Sequence, residues 1–164
     1  MRKVIVMLIA VTYCLFGCPE WIAGTSLPLW ARAFAHPFFH GNVFHLAVNM
    51  IALWYAFPSG RRDNMRTFAA SLVIAALSFA VVSEPAIGMS NVVYAAIGLR
   101  SPEFSHRWWK SPQMKAFLIV TAAMAAIPLF STETHLISFA AGILISVSRR
   151  FLTRTFNDAR RYLG

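Results

Sequence analysis

Charged residues are scarce in this chain, and acidic residues are the scarcest of all. Only 13% of the 164 residues are charged, and Asp and Glu number 6 against 15 Lys and Arg. Hydrophobic residues make up 58% of the chain, and the mean hydropathy is +0.59. This composition excludes an ordinary soluble domain. It also leaves no room for a second, soluble domain, so we expect residues 1–164 to form one membrane domain.

Cysteine is also rare, and the sequence contains no internal repeat and no low-complexity linker. Cys14 and Cys18 are four residues apart, which places them on one face of a helix. We interpret them as two buried thiols rather than as a disulfide or a metal site.

Six apolar runs, joined by short polar segments, account for most of the sequence. A helix needs roughly 20 mostly apolar residues to span a bilayer, and with their flanks all runs but the fourth approach this length. The sequence therefore predicts an all-α, polytopic membrane protein with six transmembrane helices. We place them at residues 3–18, 42–58, 66–83, 89–100, 114–130 and 134–150. Residues 19–35 are predicted to form a short outward loop.

The basic residues fall almost entirely on one side of this six-helix arrangement. Of the 15 Lys and Arg residues, 14 lie at the termini or in alternate loops, and only Arg32 lies on the opposite side. This is the positive-inside pattern, and it predicts that both termini are cytoplasmic. The net charge of +9 thus reflects orientation in a lipid bilayer and contact with it, and we expect no nucleic-acid partner.

The first apolar run has an alternative interpretation. A positively charged start and an apolar core are also typical of a signal peptide, and residues 15–18 are similar to a lipoprotein cleavage site. However, Phe16 fits poorly at its position in such a site, and Pro19 follows directly. Cleavage would also leave five spans and put the C-terminal arginines on the wrong side if the other helices kept their orientation. We interpret this run as the first transmembrane helix.

Four polar residues are predicted to lie at a similar depth in the membrane. At 1.5 Å per residue, Ser90 lies about 15 Å from the arginine that ends its span, and His135 about 21 Å. His45 and Asn49 lie about 24 and 18 Å from the arginine after theirs, and they share one helix face. Since the hydrocarbon core is roughly 30 Å thick, all four lie below the outer surface. The short fourth helix therefore begins inside the membrane, after a loop that lines a cavity.

Four polar residues at one depth in the membrane could catalyse acyl transfer. A serine needs a base to be nucleophilic at neutral pH, and His135 is the titratable base at the depth of Ser90. The predicted spans contain no Asp or Glu, which excludes the third member of a triad and leaves a Ser-His dyad. His45, Asn49 and the Ser90 backbone N–H could stabilise an oxyanion. Gly88 would allow the loop before the serine to approach closely.

Other roles are also consistent with these residues. The histidines at positions 36, 40, 45 and 135 could bind zinc, but no acid or thiol joins them and one lies far away in the sequence. Polar groups inside a membrane could instead line a proton or ion pathway. A serine in a membrane helix often serves helix contact alone. We expect no metal and no cofactor.

The pattern H-x3-H-x4-H-x3-N leads into the second helix, and the serine lies in a G-x-S motif with a tyrosine four residues later. The last helix carries a histidine with a glycine seven residues later. In these motifs the chain resembles the rhomboid family of intramembrane serine proteases. The resemblance covers about two-thirds of the chain, and it rests on His36, His40, His45, Asn49, Gly88, Ser90, Tyr94, His135 and Gly142.

The resemblance implies that Ser90 is the nucleophile, that His135 is the base and that Tyr94 stacks on the base. It implies oxyanion donors at positions 45 and 49, and we give Gly88 and His40 supporting roles. The expected protein is a rhomboid-like bundle in the cell inner (plasma) membrane, a monomer with its site open to the outer, periplasmic side. The expected substrates are single-span membrane proteins, cut in or near the span where Gly or Ala loosens the helix. The alternative is a non-catalytic rhomboid-like binder of transmembrane helices.

The chain also departs from the rhomboid pattern. Asn91 stands where a glycine usually follows the serine, and Ala31 stands where tryptophan is expected before Arg32. Ser138 occupies a position at which a glycine is common, and the outward loop before His135 is very short. None of these departures removes a catalytic group.

Overall fold

The described part of the chain is helical apart from turns and short connections. The computed structural model describes residues 2–16, 27–57, 60–82, 87–101, 110, 114–115, 118–119, 121 and 132–163. These residues contain a 3-10 turn, His36–Phe38, and six α-helices. The helices are α1 (Arg2–Phe16), α2 (Leu29–Ala35), α3 (Val43–Ala56), α4 (Asn64–Val81), α5 (Ser90–Arg100) and α6 (Thr132–Leu163).

Five of these helices correspond to predicted spans: α1, α3, α4, α5 and α6 lie at the first, second, third, fourth and sixth. The described starts of these helices are within two residues of the predicted ones. Most of the fifth predicted span, 114–130, lies outside the described residues. The described residues of that span are helical, namely Met114, Lys115, Leu118, Ile119 and Thr121.

Two helices differ from the sequence prediction. Leu29–Ala35 is helical although residues 19–35 were predicted to be a loop, because three alanines favour a helix and Pro28 is accommodated at its N-cap. The last helix continues to Leu163, thirteen residues beyond the predicted end at 150. Residues 143–163 contain no proline or glycine, and the arginines among them are good helix formers.

The central helix of the described structure is α5. Every residue of this 11-residue helix is buried except Leu99, and the helix packs against α6, α4 and α3. Its contact with α6 is close because glycines face each other there. A Cβ atom on Gly142 would lie 2.5 Å from the Ala95 carbonyl oxygen and 2.8 Å from the Leu99 nitrogen. Ser138, one helical turn before Gly142 on α6, is also fully buried.

Many of the exposed side chains on the helices are large and apolar. Two helices are long and apolar enough to cross a membrane, Asn64–Val81 with mean hydropathy 1.5 and the segment Thr132–Ala159 of α6 with 1.4. Large apolar side chains on their outer faces are exposed, among them Leu77, Val81 and Leu144. Such surfaces are suited to lipid.

The buried-thiol interpretation is wrong for Cys14, which is exposed on α1, while Cys18 lies outside the described residues.

A buried arginine joins three helices at the end of α5 opposite Ser90. The Arg100 side chain donates hydrogen bonds to the Ala56 carbonyl at the end of α3 and, at 2.6 Å, to Asn64 Oδ1 at the start of α4. Its guanidinium lies over the Phe57 ring, 5.3 Å from the ring centroid. Arg100 is only 3% exposed, so its charge is stabilised inside the protein rather than by solvent.

An exposed ion pair lies beside this arginine. The Arg61 Nε donates to Asp63 Oδ1 at 3.0 Å, and the same carboxylate oxygen lies 3.9 Å from Arg100 Nη2. The hydrogen bond from Arg61 and the charge of Arg100 lower the pKa of the Asp63 carboxyl, against a smaller opposing effect of burial. Asp63 therefore stays ionised close to the buried guanidinium.

Candidate active site

Ser90 and His135 are hydrogen-bonded to each other although they lie 45 residues apart in the chain. Ser90 is the first residue of α5, and His135 lies in the first turn of α6. The distance from Ser90 Oγ to His135 Nε2 is 2.7 Å, and each residue is 7% exposed. A buried hydroxyl in contact with an imidazole nitrogen is the arrangement from which a base can remove a proton.

Tyr94 packs against the ring of this histidine. The rings of Tyr94 and His135 are stacked, with centroids 4.7 Å apart and planes at 10°. The Tyr94 hydroxyl is hydrogen-bonded to Thr121 Oγ1 at 2.5 Å. One turn of α5 separates Tyr94 from Ser90, so the same helix presents the hydroxyl and orients the imidazole. Thr121 was not predicted to belong to the site, since a lone threonine in an apolar span carries no distinguishing signal.

Gly88 brings the segment before Ser90 against α3. Its φ of +102° lies in the region that only glycine adopts readily. A Cβ atom at this position would lie 2.7 Å from His45 Nε2 and 3.1 Å from Asn49 Nδ2. The His45 and Asn49 side chains of α3 therefore both point at Gly88, in the segment 88–91 that we call the serine-bearing turn.

One hydrogen bond of the His45 ring bears on its tautomer. The Gly41 backbone N–H donates to His45 Nδ1 at 3.4 Å, so Nδ1 is the acceptor in this contact. In a neutral ring the proton then lies on Nε2, the atom nearest to a Cβ atom added to Gly88, and Nε2 is a donor. Asn42 fixes the start of α3 because its Oδ1 accepts from the His45 backbone N–H at 2.8 Å. The Asn49 amide donates one hydrogen bond to the His45 carbonyl at 3.0 Å.

His40 lies behind His45, and the two rings are 5.2 Å apart in an edge-on arrangement. His40 is fully buried, and among the described residues neither of its ring nitrogens has a hydrogen-bond partner. The described histidines do not converge on a metal site: no group of three or more His, Cys, Asp or Glu side chains within the described ranges could hold a metal ion.

Asn91 and His36 are in contact, which the sequence did not indicate. The Asn91 Nδ2 lies 3.3 Å from His36 Nε2, and both residues are buried. The His36 ring also stacks on Phe79 of α4, with centroids 4.6 Å apart. In the sequence, Asn91 is a departure from a pattern and His36 is part of a motif. Counting depth from the arginines gives no reason to pair these two residues.

The described residues thus define an all-α protein with apolar, membrane-length helices and a buried serine–histidine pair at the start of its central helix. Residues 28–150 match the family model of the Rhomboid domain. The chain therefore belongs to the rhomboid family, which includes intramembrane serine proteases, and it is a multi-pass membrane protein. No curated protein matches the chain.

Proposed function

We propose that this rhomboid is an intramembrane serine endopeptidase that cleaves single-span membrane proteins in or near their transmembrane segment. The observation that carries the proposal is the buried 2.7 Å hydrogen bond between Ser90 Oγ and His135 Nε2. Membership of the rhomboid family supports it. Each step of the reaction has a candidate residue at this site.

In the first step, Ser90 Oγ attacks the carbonyl carbon of the scissile peptide bond while His135 Nε2 takes the hydroxyl proton. The imidazole must be neutral to accept this proton. No acidic residue lies in the predicted spans to orient the ring, and stacking on Tyr94 performs that task instead. The Tyr94–Thr121 hydrogen bond in turn holds the tyrosine ring.

The tetrahedral intermediate carries a negative charge on the former carbonyl oxygen. The His45 Nε2–H and the Asn49 amide converge on the space beside Gly88, and the Ser90 backbone N–H, at the start of α5, is the third donor. Donors already in position cost no reorganisation during the reaction, and one such donor is worth about 10²–10³ in kcat.

The intermediate collapses when the C–N bond breaks and His135 returns its proton to the leaving amine. The product is an acyl ester on Ser90 Oγ and a new N-terminus on the released segment. A water molecule, deprotonated by His135, then attacks the ester and regenerates the serine. The site needs no metal or cofactor for these steps.

The distribution of charge supports an orientation for this chemistry. We place both termini and the Arg100 end of α5 on the cytoplasmic side, in the inner (plasma) membrane, with six transmembrane helices and Ser90 open toward the outer, periplasmic side. Substrates are single-span proteins whose helix is loosened by Gly or Ala near the cut. The enzyme acts as a monomer in contact with lipid, with no nucleic-acid partner.

The test is cleavage of a co-expressed single-span substrate by the wild type and by Ser90→Ala. We expect Ser90→Ala to abolish cleavage at unchanged expression. Ser71→Ala is the matched control because Ser71 is also a buried helical serine, and its hydroxyl donates to the Thr67 carbonyl of its own helix, α4. Equal cleavage by Ser90→Ala would contradict the proposal.

A fluorophosphonate probe separates this enzyme from a rhomboid that only binds helices. We expect the purified wild type to be labelled at Ser90 and His135→Ala to remain unlabelled. The labelling rate should rise with pH by up to about tenfold per unit until His135 is neutral. A rate that stays flat through and well below the histidine range would rule out the dyad.

A further inference from the structure

His36 contacts both sides of the serine-bearing turn. Its backbone carbonyl accepts a hydrogen bond from the Gly88 N–H at 2.9 Å, two residues before Ser90. Its ring nitrogen Nε2 lies 3.3 Å from the Asn91 amide nitrogen, one residue after Ser90. Ser90 is therefore bracketed by two hydrogen bonds to a single residue.

The hydrogen bonds of the His36 ring are mutually consistent. His36 Nδ1 lies 2.7 Å from the Ala33 carbonyl oxygen, which can only accept, so Nδ1 carries the proton. Nε2 of the neutral ring is then a bare acceptor, and the Asn91 Nδ2–H donates to it. The same reasoning fixes the orientation of the Asn91 amide, because its oxygen could not bond to a bare nitrogen.

The His36 ring is itself held in place. It is fully buried, it is bonded to the α2 carbonyl of Ala33, and it stacks at 20° on Phe79 of α4. Asn91 is 1% exposed, and among the described residues its amide oxygen has no hydrogen-bond partner. The interaction with His36 is thus the one side-chain hydrogen bond given by Asn91 within the described ranges.

We propose that Asn91 and His36 form a positioning pair that sets the location of the Ser90 hydroxyl relative to His135. Neither residue touches the reacting atoms. The pair joins α2 and α4 to the first turn of α5. This turn, which carries Ser90, therefore cannot slide or rotate relative to α2 and α4 without breaking the Asn91–His36 bond. This inference rests on the proposed function, because positioning of Ser90 is measured through its reaction.

Four variants of the protein test the pair, with the fluorophosphonate labelling rate and kcat and KM for a single-span substrate as readouts. Asn91→Ala removes the donor, and His36→Asn keeps an amide near Nδ1 but loses the acceptor at Nε2. His36→Gln restores an acceptor near the Nε2 position. The double variant Asn91→Ala/His36→Asn completes a cycle. Asn157→Ala, at an exposed position of α6, is the matched control.

We expect Asn91→Ala and His36→Asn each to lower the labelling rate and kcat by roughly fivefold to tenfold, with KM unchanged. The double variant should be no slower than either single variant, and His36→Gln should recover most of the rate. Thermal unfolding identifies any loss that comes from misfolding. Additive losses, or no recovery with His36→Gln in a folded protein, would overturn the inference.

The proposed function and this inference fail in different ways. A wild type that is neither labelled nor active, like Ser90→Ala, would overturn the function and the positioning role together. A wild type that is labelled at Ser90, with Asn91→Ala labelled at the same rate, would overturn the positioning pair alone.

Discussion

At the scale of single residues, Gly88 shows how one backbone conformation determines the site. Its φ of +102° and the nearby His45 and Asn49 side chains both demand the absence of a Cβ atom. Gly60 has a similar φ of +87°, but a Cβ atom there would meet nothing within 4 Å. Substitutions at the two glycines therefore distinguish the effect of backbone strain from the effect of steric conflict.

We expect Gly88→Ala to reduce fluorophosphonate labelling at least a hundredfold, because the new methyl displaces His45 or the serine-bearing turn. Gly60→Ala should cost about 1–2 kcal/mol of unfolding free energy from the strained φ but leave the labelling rate unchanged. The measurements are labelling rates and thermal unfolding of both variants. Loss of labelling in Gly60→Ala would show that backbone strain alone disables the enzyme.

The ring contact of Tyr94 and the hydrogen bond of its hydroxyl can be removed separately. Tyr94→Phe keeps the ring stacked on His135 and loses the hydroxyl that bonds to Thr121, whereas Tyr94→Ala loses both the stacking and that bond. We expect kcat to fall by less than about tenfold in Tyr94→Phe, in line with one neutral hydrogen bond, and much further in Tyr94→Ala. Equal losses in the two variants would mean that the hydroxyl, not the stacked ring, orients the imidazole.

Sequence reasoning found the residues whose positions follow from periodicity and depth. Ser90, His135, His45 and Asn49 were grouped because each lies a countable number of residues from an arginine. That counting gives the depth of a residue but says nothing about the rotation of its helix. The contact between Asn91 and His36 depends on which way each side chain faces, and it could not be derived from one sequence.

At the scale of helices, the site depends on the distance between α5 and α6, since one carries Ser90 and the other His135. The helices touch through Gly98 and Gly142, where added Cβ atoms would meet the opposite backbone. The span of α2 and the end of α6 were missed, because boundaries depend on weak local preferences that apolar patterning does not show.

We expect Gly142→Ala to move the helices apart, lowering stability by about 1–3 kcal/mol and the labelling rate with it. Ala140→Gly is the control, since Ala140 is exposed on α6 and the change costs about 1 kcal/mol of helix stability without altering the contact. Unfolding and labelling are measured for both variants. A Gly142→Ala enzyme that is less stable but labels at the wild-type rate would contradict the link between helix spacing and the Ser90–His135 bond.

At the scale of the whole molecule, the two ends of α5 have different tasks. Ser90 at one end belongs to the site, and Arg100 at the other joins α3, α4 and α5 through the Ala56 carbonyl and Asn64. The ends are ten residues apart, about 15 Å along the helix. Stability and catalysis should therefore be separable by substitution at the two ends.

We expect Arg100→Lys to destabilise the fold by about 1.5–3 kcal/mol, the range for losing a hydrogen bond given by a charged group. A lysine ammonium cannot reproduce the planar fork that bonds two acceptors while lying over the Phe57 ring. Arg154→Lys, at an exposed position of α6, should have almost no effect. Thermal unfolding measures the stability, and the labelling rate of the folded fraction measures the site. Slower labelling of folded Arg100→Lys would show that this end of α5 also controls the position of Ser90.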